Sequence, residues 1–150
     1  MLLMGFWGKR IVLYNRPILV VENGLSAEPT VRGALEMLGV AKRIVQISTA
    51  TEAMAYLQDE QMQRPAVIIA DASAKGTGGL DMLRQVKADP QLSAIPVIMV
   101  ALSSDIHVID ESFSLGVAGY VVKSSDSGEF TQALRSVHEY WMLNEVPVGR

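Results

Sequence analysis

The sequence predicts an α/β fold: a doubly wound sandwich, with helices on both faces of a five-stranded parallel sheet. Three observations carry that expectation. Five short apolar runs rich in Val and Ile recur along the chain, mostly continuous rather than alternating, as strands buried on both faces should be. Helical spacings with recognisable ends separate them, so strand and helix alternate five times over about 125 residues, with right-handed crossovers. The 150 residues are 49% hydrophobic and 19% charged, which suits one domain with a sizeable core and excludes a disordered or fibrous chain.

The elements follow in order. Met1 to Arg16 reads as an N-terminal extension, residues 17–145 as the domain and residues 146–150 as a C-terminal tail. The apolar start, Met1 to Trp7, is interrupted by Gly5 and followed by Gly8, Lys9 and Arg10, well short of the roughly 20 residues a spanning helix needs. A secretory signal places basic residues before its apolar run, the reverse of this order. Ile11 to Tyr14 has the composition of a short extra strand. The five strand runs are Ile18–Val21, Ile44–Ile47, Ala66–Ala70, Val97–Val100 and Tyr120–Val122. In the first helix Ser26 precedes Pro29 in the first turn, Val31, Leu35 and Leu38 keep the apolar spacing, and Gly39 supplies a left-handed stop. Thr49 with Glu52, and Asp126 with Glu129, have capping-box spacing at the starts of the second and fifth helices. The third helix begins after Gly78 and Gly79, carries Leu80, Leu83 and Val86, and stops near Ala88 ahead of Pro90. A fourth lies between Ser104 and Gly116.

Charge and composition exclude several function classes. Thirteen basic residues against 16 acidic ones give −3, so no global positive field draws nucleic acid or an anionic membrane. With no cysteine there is no disulfide or thiolate zinc site, and a reducing cytoplasm suits the chain. Two histidines, His107 and His138, are too few for a His-based metal cluster and read as surface or half-buried helix residues.

In a doubly wound sheet ligands bind beyond the carboxyl ends of the strands, so the polar residues that close each run are the informative ones. The first strand ends in Glu22 and Asn23, the third in Asp71, the fourth in Ala101 and Leu102, the fifth in Lys123. Carboxylates and an ammonium far apart in sequence therefore meet at one edge. A single acid after a strand is commonly a cap or turn former; several such groups at one edge point to a site.

These residues carry a resemblance. Ile18–Gly24 (ILVVENG), Val67–Leu80 (VIIADASAKGTGGL), Pro96–Ala101 (PVIMVA) and Gly116–Lys123 (GVAGYVVK) look like the four motif blocks of two-component response-regulator receiver domains, over about Pro17 to Asn144. The resemblance implies the flavodoxin-like (βα)5 receiver fold, with Asp71 as phosphoacceptor and Lys123 as the cation that contacts the phosphoryl group. It also implies Mg²⁺ held by the acidic pair after the first strand, here Glu22 and Asn23, by Asp71, and by the backbone carbonyl of Ser73. A carboxylate nucleophile accepts a phosphoryl group when cations neutralise the transferring oxygens, so the chemistry is mainly positioning and electrostatics. The close, Tyr140–Pro147 (YWMLNEVP), is similar to single-domain regulators that work with phytochrome-type or other sensor kinases.

The sequence departs from the family pattern at three places. Asn23 stands where the principal acidic metal ligand is usual; losing a unit charge beside the ion forfeits on the order of several kcal/mol at an effective dielectric of about 20, partly offset by relieved repulsion. Ala101 replaces the Thr or Ser whose hydroxyl reports phosphorylation. Tyr120 keeps the aromatic that answers that movement, and reads equally as a packed strand aromatic. Ser124 replaces the proline usual after the lysine; a cis bond without proline costs about 2.5–4 kcal/mol, so a trans bond and some displacement of Lys123 are expected. The loop Lys75–Gly79 also lacks the usual proline, and its small residues suggest mobility.

Competing readings fare worse. Gly76, Gly78 and Gly79 follow a strand as a dinucleotide loop does, but the third glycine comes too early and no acid follows at the right strand end. A haloacid-dehalogenase-type phosphatase needs a second Asp two residues after its nucleophile, and Ser73 is there. Asp105, Asp110 and Glu111 read as a solvated acidic face. The expectation is a non-enzymatic, cytoplasmic receiver module acting by protein contact, a pseudo-receiver with a weakened Mg²⁺ and phosphorylation switch. The alternatives are a functional phosphorelay receiver, a phosphoprotein charged on Asp71 by a sensor histidine kinase, and a small Asp-nucleophile hydrolase. Partners are the kinase or another signalling protein, not nucleic acid or membrane. Consecutive Tyr140, Trp141, Met142 and Leu143 cannot all face inward, so a homodimer or partner contact is expected at the last helix.

Overall fold

The computed structural model describes residues 16–22, 30–40, 43–72, 79–102, 105–123 and 126–143, and of 127 and 141–143 the backbone alone. Strands β1 (Ile18–Val21), β2 (Ile44–Ile47), β3 (Val67–Asp71), β4 (Val97–Ala101) and β5 (Gly119–Val122) alternate with helices α1 (Val31–Met37), α2 (Ala50–Gln58), α3 (Gly79–Ala88), α4 (Ile106–Ser114) and α5 (Ser127–Leu143). The sheet is parallel throughout, in the order β2-β1-β3-β4-β5. The doubly wound expectation holds, with strand ends within a residue of the apolar runs. The expected strand at Ile11–Tyr14, the loop at Lys75 to Gly78, Asn23, Ser73, Ser124 and the tail lie outside the described residues.

Helices cover both faces of a parallel sheet, and the three central strands, β1, β3 and β4, are buried along their whole length, whereas edge strands β2 and β5 are only partly covered. Side chains alternate between two cores. Leu19, Val21, Ile68, Ala70, Val97 and Met99 pack against Met54 and Leu57 of α2 and Met82, Leu83 and Val86 of α3. Ile18, Val20, Val67, Ile69, Ile98 and Val100 pack against Val31, Ala34 and Leu35 of α1 and Phe130 and Leu134 of α5.

The helix ends follow the sequence, with one correction. Thr49 accepts the Glu52 N–H at 3.2 Å, and Asp126 accepts the N–H groups of Gly128 at 2.8 Å and Glu129 at 3.4 Å. Gly39 closes α1 at φ +79°, the left-handed conformation expected of it. The start of α1 differs: Ser26 and Pro29 lie outside the described residues, and the helix begins at Val31, later than a first turn at Pro29 predicts. Thr30, itself a good capping residue, has extended backbone and its hydroxyl accepts the Gly33 N–H at 3.0 Å. Gly79 opens α3 hard against the sheet, where a Cβ would stand 2.7 Å from Met99 Cε. At the amino ends of the strands, Arg16 is buried and its carbonyl accepts from the Arg43 guanidinium at 3.3 Å, tying the start of β1 to that of β2.

Candidate functional site

The strand ends build the site by extending the ladder one residue past each strand. Glu22 N–H donates to the Ile47 carbonyl at 3.0 Å, Ala72 N–H to Val100 at 2.7 Å and Lys123 N–H to Ala101 at 2.7 Å. Three polar residues that the sequence scatters over a hundred positions are thereby fixed on adjoining backbone. Alternation places Glu22, Asp71 and Lys123 in step with Val20, Ile69 and Val121, on the face covered by α1 and α5. Ala101 and Tyr120 are in step with Met99, on the face of α2 and α3.

The charged groups meet in a closed space. Lys123 Nζ donates to Asp71 Oδ2 at 2.7 Å and lies 3.6 Å from Glu22 Oε1, and all three side chains are at most 2% exposed. Burying one ammonium between two carboxylates leaves a net charge of −1 in a medium where an unanswered charge is expensive. Glu22 has further partners: Oε1 accepts the Val31 N–H at 2.7 Å, and Oε2 the Arg32 N–H at 3.4 Å. These are donors of the first turn of α1, which lack partners within the helix. The bond to Ser124, from which a displacement of Lys123 is expected, lies outside the described residues; Lys123 itself is held at the end of β4 by its own N–H on the Ala101 carbonyl.

Asp71, Lys123 and Glu22 are thus brought together as the sequence suggests, while Asn23 and Ser73 lie outside the described residues. Ala101 is buried at the end of β4 and brings no hydroxyl. Tyr120 is half-buried; burial first, and then the Asp105 carboxylate, push its phenol above its usual pKa. Asp105, read from sequence as part of a solvated acidic face, is the N-cap of α4, accepting the His107 N–H at 2.9 Å. Glu111 of the same stretch pairs with Arg84 of α3. The sequence did not reveal the bond from Glu22 to α1; a carboxylate nine residues ahead of a helix start gives no local signal.

Glu22 and Asp71 supply the hard oxygen donors that Mg²⁺ prefers, so the donors fit such an ion in kind. Among the described residues they remain two, with no group of three metal-binding side chains. When bound, such an ion would supply charge neutralisation for oxygens brought against Asp71.

A family model of the response regulator receiver domain matches residues 18–135. Response regulator Rcp1 of Synechocystis sp. is 25% identical over 129 residues, covering 83% of this chain and 88% of its own. The phosphorylated cyanobacterial phytochrome response regulator RcpA superposes with a TM-score of 0.79 at 27% identity, covering 89% of this chain and 99% of that one. The Mn²⁺-bound form of Rcp1 gives 0.77 at 23% identity, over 89% and 99% of the two chains. No described helix is long and apolar enough to cross a membrane. With the sheet order, the buried acid–lysine pair and the family match in agreement, the chain belongs to the response regulator receiver domains of two-component signalling.

Proposed function

We propose that this chain is a receiver that signals by protein contact with a weakened phosphorylation switch, a pseudo-receiver rather than an enzyme, working in the cytoplasm. The observation that supports this most is Ala101: the position closing β4 beside the pocket is buried and its side chain is only a methyl group, so that side chain cannot hydrogen-bond an incoming phosphoryl oxygen and draw Tyr120 after it. Asn23 adds to the case by giving the metal position an uncharged amide. A partner or a second copy would be met at the end of α5, where Tyr140 is 61% exposed.

A second reading has its own support. Asp71 and Lys123 stand 2.7 Å apart in the arrangement a phosphoacceptor and its cation require, and the similar RcpA is described as phosphorylated. On that reading a sensor histidine kinase presents a phosphohistidine. An Asp71 carboxylate oxygen then forms the new bond to phosphorus, the phosphorus–nitrogen bond breaks, and the electron pair leaves on the imidazole, while Lys123 answers the phosphoryl charge. The hydrolase reading has only Ser73 where a second acid is needed.

Incubation with acetyl phosphate or phosphoramidate and Mg²⁺, followed by intact mass, separates the three. The weakened switch gives no stable adduct, a functional receiver gives one phosphoryl group lost on Asp71→Asn, and a hydrolase turns over an aryl phosphate.

A further inference from the structure

The charged side chains of the pocket and the usual relay positions lie on opposite faces of the sheet. Glu22, Asp71 and Lys123 fall in step with the residues packed under α1 and α5, whereas Ala101 and Tyr120 fall in step with those under α2 and α3. Among the described residues, Glu22 ties this pocket to a helix, accepting from the N–H groups of Val31 and Arg32. Val31 is fully buried, and α1 packs its Val31, Ala34 and Leu35 with Phe130 and Leu134 of α5. Anything that moves the Glu22 carboxylate therefore acts on the first turn of α1 and, through it, on the α1–α5 layer.

We infer that Glu22 is a positioning residue that couples the charge of the Asp71 pocket to helix α1. The carboxylate that restrains Val31 and Arg32 is one of two among the described residues that can answer a cation there, and its Oε1 is the atom shared between Val31 N–H and Lys123 Nζ. A divalent cation beside Asp71 would repel Lys123 and attract both carboxylates, and an oxygen drawn from Glu22 would be lost to the first turn of α1. Among the described residues, Thr30 is then what holds the start of the short α1, seven residues long. Signal leaves the pocket toward α1 and α5, a route that needs no hydroxyl at Ala101. The inference rests on reading Glu22 and Asp71 as cation-accepting and is indifferent to whether Asp71 takes a phosphoryl group. Intact mass tests the latter and amide spectra the former.

The test is an MgCl₂ titration of the full ¹⁵N-labelled chain, read at backbone amides. Ala72 and Lys123 report entry of the ion; Val31 and Arg32 report loss of their acceptor. The expected result is one midpoint for all four, with hydrogen exchange at Val31 and Arg32 rising about fivefold to tenfold, the scale of a lost cap. Thr30→Ala removes the hydroxyl that holds Gly33, so the same titration should then accelerate exchange further, through Gly33 and Ala34. Glu22→Gln should raise exchange without Mg²⁺ and remove its dependence on the ion; should that variant fail to fold, the parent and Thr30→Ala titrations decide alone. The inference is overturned if Ala72 and Lys123 respond while Val31 and Arg32 keep their shifts and protection, if Thr30→Ala responds no more than the parent, or if no pocket amide responds to Mg²⁺.

Discussion

At the carboxyl ends of the strands Lys123 is held by two carboxylates, Asp71 and Glu22, whereas at the amino ends Arg43, Arg64 and Lys87 donate to the backbone carbonyls of Arg16, Gln91 and Ser93. Both arrangements hold cations beside the core, with different consequences. A carbonyl is neutral and fixed, so a cation bound there can be deleted and the acceptor left to water. A buried carboxylate cannot be abandoned so cheaply, because its charge remains when its partner goes. One end of the sheet is built for inert support, and the other holds groups whose energies change steeply when any one of them is altered.

The largest expected effect comes from breaking that asymmetry. Lys123→Met leaves Asp71 and Glu22 both buried and facing each other without a cation, and should cost about 3–5 kcal/mol of stability in urea unfolding. Lys87→Met removes an ammonium from the carbonyls of Ser93 and Ile95, 2.9 and 3.5 Å away, and should cost about 1–2 kcal/mol. Adding Asp71→Asn to Lys123→Met should recover part of the first loss, since the two share one pair. Equal losses at the two ends, or no recovery in the double variant, would show that water reaches the carboxylates and that the pocket is no more demanding than the support end.

The same contrast explains what was legible in the sequence. Continuous apolar runs gave the strands because strands buried on both faces admit little else. Polar residues at the run ends gave Asp71 and Lys123, because only a strand terminus can carry a charge out of such a sheet. Thr49 and Asp126 were readable as caps because their partners stand three residues on. Glu22 was readable as an acid at the right edge but not as the acceptor for Val31 and Arg32, and Asp105 looked like one of several surface acids. Those roles are set where separate segments meet. Thr30 caps α1 one residue after the Pro29 expected in its first turn, and Val31 packs into the α1–α5 core.

A smaller effect should sharpen the chemical end. If Asn23 weakens the metal site, Asn23→Asp should raise Mg²⁺ affinity at least tenfold, about 1.4 kcal/mol and a modest share of the Coulomb interaction, and make Asp71 modifiable by a small phosphodonor. Tyr120 should still respond little, because Ala101 offers no hydroxyl; adding Ala101→Thr should restore its response to beryllofluoride, non-additively with Asn23→Asp. Calorimetry for the ion and amide shifts at Tyr120 for the relay measure the two separately. An Asn23→Asp chain that binds Mg²⁺ no better than the parent ends this account, as does a parent whose Tyr120 already responds like the double variant.

The smallest effect belongs to the amino ends, and asks whether cations held by carbonyls are electrically silent there. His138 of α5 is half-buried, and its Nε2 is buried with no hydrogen-bond partner among the described residues. Burial first, and then the Arg43 charge, hold its imidazole below its usual pKa of 6.5, with Glu139 pulling the other way. Arg43 thus donates from Nε and Nη2 to the Arg16 carbonyl and still projects charge onto its neighbour. The sign follows from proton binding: near and below 6.5 the unfolded chain takes up the proton more readily than the folded one. The stability associated with neutral His138 is therefore present above that value and lost as pH falls through the folded-state pKa. Urea midpoints at about pH 7.5 and about pH 5.5 should fall further for the parent than for His138→Gln, which has nothing to titrate there. Arg43→Met should reduce the difference without abolishing it, because burial remains the larger cause. If parent and His138→Gln fall in parallel, the field of Arg43 is spent on its carbonyl, and the amino ends are as inert as their hydrogen bonds suggest.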